Sequence, residues 1–170
     1  MARKFKTYPY DTLADDKALA IAAYGESVAS YRYIVLAEKA RSTHFRAAFE
    51  AMALEERGHR DLVQRMLDQI SPGSGFFLAN EDKAVVCVGP RLVDARDDAR
   101  FDEALRLVIG SEKRTASFYH RYASHAKHTN VRELFAQLAA EGIEHVRRLR
   151  ILGREAGREI SEPCPMDKLA

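Results

Sequence analysis

Cysteine is scarce in this 170-residue chain: only Cys87 and Cys164 occur, and no C-x-x-C pair is present. A tetrathiolate zinc or iron site needs four thiolates and cannot be assembled from two. No histidine or base motif flanks either residue, so both read as structural free thiols in a reducing compartment. Long hydrophobic runs are missing as well. The longest, Ala18 to Tyr24, falls far short of the roughly 20 residues that span a bilayer. Neither sign of charge dominates, with 27 basic against 25 acidic side chains and a net charge of +2. That balance leaves no electrostatic case for nucleic acid, and Arg147, Arg148 and Arg150 read as a solvated helix face. The opening MARKFKTYPY has basic residues but neither the apolar stretch nor the small-residue cleavage site of a secretory signal. The expected compartment is the cytoplasm.

What the chain does have is helical periodicity. Apolar residues recur at helical spacing over four segments, at about 12–41, 43–70, 99–127 and 130–153. The first carries Leu19, Ala22, Glu26, Ala29, Tyr33 and Ala37 along one stripe, and the second Phe45, Phe49, Met52, Glu56, His59 and Val63. A Gly- and Pro-containing linker over 71–98 separates the pairs, and Ala84–Val88 within it suggests a short extended segment. Residues 154–170 read as a tail. Short breaks inside each pair make two antiparallel hairpins, which the long linker joins as a crossover. The reading is one all-α domain, a four-helix bundle.

The two halves also repeat. At an offset of 86 positions, Leu19 falls on Leu105, Glu26 on Glu112, Tyr33 on Tyr119, Phe49 on Phe135, Glu55 on Glu141 and His59 on His145. Matching both apolar and polar positions, the repeat predicts two similar hairpins related by a pseudo-twofold axis. Glu26 and Glu112 interrupt apolar stripes, where an unpaired carboxylate must either take a proton or find a cation. Glu56 and His59 share one face of their helix. One Glu from each of two helices, with Glu-x-x-His on the others, is how bundles build di-metal sites. Carboxylates with imidazoles suit iron, manganese or zinc better than calcium. Tyr33 and Tyr119 follow their glutamates by seven residues, about 10.5 Å along the axis on nearly the same face, where their hydroxyls could bond carboxylates of a neighbouring helix. His44, His120, His125 and His128 match no ligand pattern. His125 and His128 fall near the end of the third helix, where positive charge suits the helix dipole.

AYGESVASYRYIVLAEKA in the first segment is very similar to the first ligand helix of the rubrerythrins, a group within the ferritin-like di-iron superfamily. LEERGH, LVIGSEKRTASFYHRYA and LFAQLAAEGIEH resemble its other ligand helices, so the likeness covers about residues 12 to 153. The resemblance implies a ferritin-like bundle holding two irons per chain, with Glu26, Glu56, His59, Glu112 and His145 as ligands. It implies a non-haem di-iron oxidoreductase, a peroxidase or ferroxidase. Glu26, Glu56 and Glu112 would act through the metals, and Tyr33 and Tyr119 would support them. A homodimer and a separate electron-donor protein are the expected partners, because no rubredoxin domain can be built here. The rival readings are a metal-binding module without turnover and a structural bundle with a degenerate site.

One position departs from the family pattern. Glu is expected three residues before His145, and Gly142 stands there, a residue that costs about 1 kcal/mol in a helix relative to alanine. Glu141 could swing inward to replace it, Glu144 points about 100° away, and water, an anion or a partner chain's carboxylate could fill the position. Alternatively only one metal binds well.

Overall fold

A computed structural model describes residues 8–157, and every described element is helical. A 3-10 turn, Tyr10–Thr12, precedes α1 (Asp15–Lys39), α2 (Thr43–Ile70), a short α3 (Asn80–Ala84), α4 (Asp98–Ala123) and α5 (Thr129–Glu155). α1 pairs with α2 and α4 with α5 as antiparallel hairpins, and α1 against α4 and α2 against α5 close the bundle. The tail expected over 154–170 falls almost wholly outside the described residues, and Cys164 lies there too.

Local chemistry accounts for most helix ends. Asp15 and Asp16 place negative charge in the first turn of α1, where the exposed amides favour it. The Asp97 carboxylate caps α4 by accepting the Arg100 amide at 2.9 Å. The third major helix stops at Ala123 rather than near Lys127, and the cause lies far away in the sequence. Buried Asp15 accepts the backbone amides of Lys127 and His128 at 3.1 and 2.9 Å, the Tyr122 hydroxyl at 2.5 Å, and approaches His128 Nδ1 at 2.6 Å. Amides committed to a side chain cannot continue the helical ladder, so the chain turns and α5 begins at Thr129. His128 therefore precedes α5 instead of ending the helix before it.

The crossover holds no extended segment at Ala84–Val88. Residues Asn80–Ala84 form α3, whose start is fixed by the Asp82 carboxylate accepting the Ala79 amide at 2.9 Å, and Val85 and Val86 turn away from it. Among the described residues no strand stands beside the segment to pair with it, so side chains of the bundle satisfy its backbone instead. Thr115 Oγ1 donates to the Val86 carbonyl at 2.9 Å, and Ser111 Oγ accepts the Val88 amide at 2.9 Å. Buried Arg32 donates to the carbonyls of Val88 at 2.9 Å and Pro90 at 2.5 Å, to Ser111 Oγ at 2.6 Å and to Cys87 Sγ at 3.2 Å. Gly25 permits the linker to lie this close, because a Cβ there would stand 3.0 Å from that of Val86. The linker thus covers a second face of α1, which explains why α1 is buried on more than the stripe its periodicity shows.

Two apolar clusters fill the bundle. Leu19, Ala22, Val63, Phe118, Phe135 and Leu138 belong to one, and Leu36, Phe49, Met52, Leu105, Val108 and Leu149 to the other. Glu26, Glu56, Glu112 and His145 are all buried in the bundle with them. Arg32→Met removes the donor to three linker carbonyls, those of Val88, Pro90 and Arg91, and also relieves the burial of a charge with no carboxylate partner among the described residues. The expected net loss is about 2 kcal/mol in urea unfolding. An unchanged unfolding midpoint would show that the linker does not depend on the guanidinium.

Candidate metal centre

Each of the four long helices sends polar side chains into the bundle's centre. α1 contributes Glu26, α2 contributes Glu56 and His59, α4 contributes Glu112 and α5 contributes His145. Glu26, Glu56, Glu112 and His145 are buried, and His59 is partly so. Two clusters form, Glu26–Glu56–His59 and Glu56–Glu112–His145, each with donor atoms within 4.8 Å of one another. Glu56 belongs to both. His59 Nδ1 lies 3.1 Å from Glu56 Oε2 and 3.5 Å from Glu26 Oε2. His145 Nδ1 lies 2.5 Å from Glu56 Oε1 and 3.7 Å from Glu112 Oε2.

The tyrosines cross between the hairpins. Tyr33 on α1 donates to Glu112 Oε1 at 2.7 Å, and Tyr119 on α4 donates to Glu26 Oε1. The outer histidine nitrogens are crossed in the same way. His145 Nε2 lies 3.0 Å from Glu55 Oε2, and His59 Nε2 lies 2.6 Å from Glu141 Oε2. Sequence reasoning noticed Glu55 only as the repeat partner of Glu141 and gave it no role. It also placed Arg148 on a solvated face, whereas Arg148 grips both oxygens of Glu55 at 3.1 and 2.5 Å. The repeat was the signal for the first. Nothing in the sequence marked the second, because its partner lies on another helix.

Glu141 stands outside both clusters, on the far side of the His59 ring from the carboxylates, with its other oxygen held by Gln137 at 2.9 Å. Glu144 is paired with Arg147 on the surface. A Cβ at Gly142 would lie 3.2 Å from that of Ala116, one turn beyond Glu112, so α5 approaches α4 too closely there for a longer side chain to fit without displacement. The donors pointing inward are therefore three carboxylates and two imidazoles.

This set fits metal better than it fits itself. Glu56 Oε1 and His145 Nδ1 are buried and close, yet neither makes an aligned hydrogen bond. Oxygen and nitrogen donors of this kind suit iron, manganese or zinc. A cavity of ≈ 20 Å³ adjoins the cluster, room for little more than one water-sized molecule.

Without metal, protons balance the charge. Burial pushes the Glu26 carboxyl up to about 8, reinforced by repulsion from Glu56. Burial opposes charge on His59, but Glu26 and Glu56 outweigh it and raise the imidazole to about 10. His145 is raised to about 11 against the same opposition, by Glu112 and Glu56. Burial and Glu112 act to raise Glu56, yet its close contacts with Glu26, His145 and His59 hold it below the usual range. Arg148 holds Glu55 down at about 2.

Fold and site together define a ferritin-like helical bundle with buried carboxylate–imidazole clusters suited to a di-metal centre. The rubrerythrin family model matches residues 17–98, so the first half of the chain, the span holding Glu26, Glu56 and His59, is similar to the rubrerythrins. Among solved structures, a hypothetical protein from Pyrococcus furiosus is 24% identical with a TM-score of 0.70, covering 82% of this chain and 87% of that one. KatB, a manganese catalase from Anabaena PCC7120, is 15% identical with a TM-score of 0.66, covering 97% and 84%. Both likenesses concern the fold. No curated protein matches the chain. Among the described residues no helix is long and apolar enough to cross a membrane.

Metal must displace the protons on Glu26, His59 and His145, so loading near pH 7 is expected to release protons and affinity to rise with pH. All three groups have raised folded-state pKa values. Their contribution to the metal-free protein is lost as pH climbs through about 8 and on through about 10 and 11. The melting temperature of the metal-free protein should fall over that window, and bound metal should flatten the fall. A metal-free melting temperature that rises with pH there would contradict this charge balance.

Proposed function

We propose that the chain is a non-haem di-iron oxidoreductase that reduces peroxide or oxygen between two bound metals. The observation that carries the reading is Glu56, one buried carboxylate common to both clusters, with a terminal Glu and His on either side. Two ferrous ions held there would supply the two electrons that, with two protons, convert hydrogen peroxide to two waters. Glu26 and Glu56 with His59 would hold one metal, and Glu112 and Glu56 with His145 the other. Tyr119 and Tyr33 occupy one oxygen each of Glu26 and Glu112, leaving the second oxygen of each carboxylate to turn inward. The two hydroxyls also keep a proton at each of these carboxylates. The small cavity excludes bulk solvent and bulky oxidants. Electrons for repeated turnover would come from a separate donor protein, and the working form would be a homodimer.

A second reading is favoured by the close approach of α5 to α4 at Gly142, where the sequence supplies no carboxylate. Three carboxylates leave a pair of divalent metals with a surplus positive charge. This raises their potential, so that the pair, once oxidised by one peroxide, would be oxidising enough to take two electrons back from a second, a cycle manganese can carry. The bundle likeness to a manganese catalase points the same way. In that case two peroxides give one dioxygen and two waters, and no donor protein is needed.

Anaerobic loading with Fe²⁺ or Mn²⁺, then addition of hydrogen peroxide with optical and oxygen-electrode detection, separates the readings. Rapid oxidation of two irons by one peroxide without dioxygen is the expected result. Sustained dioxygen release from the manganese form would establish the second reading. Bound metal inert to peroxide would overturn both and leave a metal-holding module.

A further inference from the structure

The two outer glutamates have no part in the ligand set, yet each faces a histidine of the opposite hairpin. A histidine that binds metal through Nδ1 must carry its single proton on Nε2, and that proton needs an acceptor. Both Nδ1 atoms face the carboxylate clusters and both Nε2 atoms face out, His145 to Glu55 and His59 to Glu141. From this geometry we infer that Glu55 and Glu141 are positioning residues. They fix the tautomer and direction of His145 and His59, and they make the two metal positions unequal. The inference rests on the metal-centre reading above.

The inequality follows from what holds each glutamate. Glu55 is clamped through both oxygens by the Arg148 guanidinium, which offsets its charge. Glu141 has only the neutral Gln137 amide on its other oxygen. Its side chain is 36% exposed, but Oε2, 2.6 Å from His59 Nε2, is buried and makes no aligned hydrogen bond, an acceptor that the Nε2 proton of a metal-bound His59 would fill. Glu141 therefore draws more strongly on the Nε2 proton, and His59 becomes the better electron donor. The position built by Glu26, Glu56 and His59 should bind its metal more tightly than the one built by Glu56, Glu112 and His145. Glu141 thus supports a ligand on α2 instead of replacing the carboxylate missing at Gly142.

Titration of the metal-free full chain with Co²⁺, followed by its visible absorption, tests this. The wild type should bind two Co²⁺ with distinct affinities. Glu141→Ala should weaken the tighter position by about 10- to 100-fold and leave the other unchanged. Glu141→Gln, which keeps an acceptor but not the charge, should fall between. In a His59→Ala background Glu141→Ala should add nothing further, which a merely structural role would not produce. Loss of one Co²⁺ outright in Glu141→Ala would make Glu141 a direct ligand and overturn the inference, as would two unchanged affinities. A wild type that binds no Co²⁺ would instead overturn the metal-centre reading beneath it.

Discussion

Three carboxylates, Glu26, Glu56 and Glu112, are buried near one another in the middle of a four-helix bundle, and the rest of the structure answers that constraint. Placing several negative charges in so dry a space costs several kcal/mol per ion unless positive charge arrives with them. Two histidines stand beside the carboxylates, two tyrosines cap an oxygen of two of them, and in the metal-free protein protons make up the balance. An arrangement that only stabilised the fold would pair these atoms with one another. Here Glu56 Oε1 and His145 Nδ1 stand 2.5 Å apart, buried yet without hydrogen-bond alignment, so both remain donors that a cation could take up.

The repeat gives this centre its form. Tyr33 serves Glu112 while Tyr119 serves Glu26, and Glu55 faces His145 while Glu141 faces His59. Every one of these contacts joins one hairpin to the other, so neither hairpin completes its half of the site alone. Symmetry is broken in two places. Gly142 removes one carboxylate where α5 presses on Ala116, and Arg148 braces Glu55 with no equivalent beside Glu141. A doubled hairpin thereby becomes a site with two different positions.

Much of this was readable from sequence because the signals are local or periodic. The four long helices follow from apolar spacing, with α2 bounded as expected; Glu26 and Glu112 stood out by interrupting apolar stripes, Glu56 and His59 by sharing a helix face, and His145 by the repeat and the family resemblance. What escaped depends on contacts distant in sequence. The early end of α4 is decided by Asp15, more than a hundred residues away, which takes the amides of Lys127 and His128. Arg32 looks like an ordinary helix cation until the linker settles over it, and the same linker turned an expected extended run into α3 and a turn. Arg148 looked solvated because its partner is on α2. Glu141 could be placed near His145 by helical spacing, but only the packed bundle shows it behind His59 instead.

The proposed centre has Glu56 shared between two metal positions. Crystals of the full chain loaded anaerobically with Fe²⁺ and measured on both sides of the iron absorption edge would locate the metals directly. Two anomalous peaks are expected, one among Glu26, Glu56 and His59 and one among Glu56, Glu112 and His145. A single peak, or none at either cluster, would contradict that arrangement.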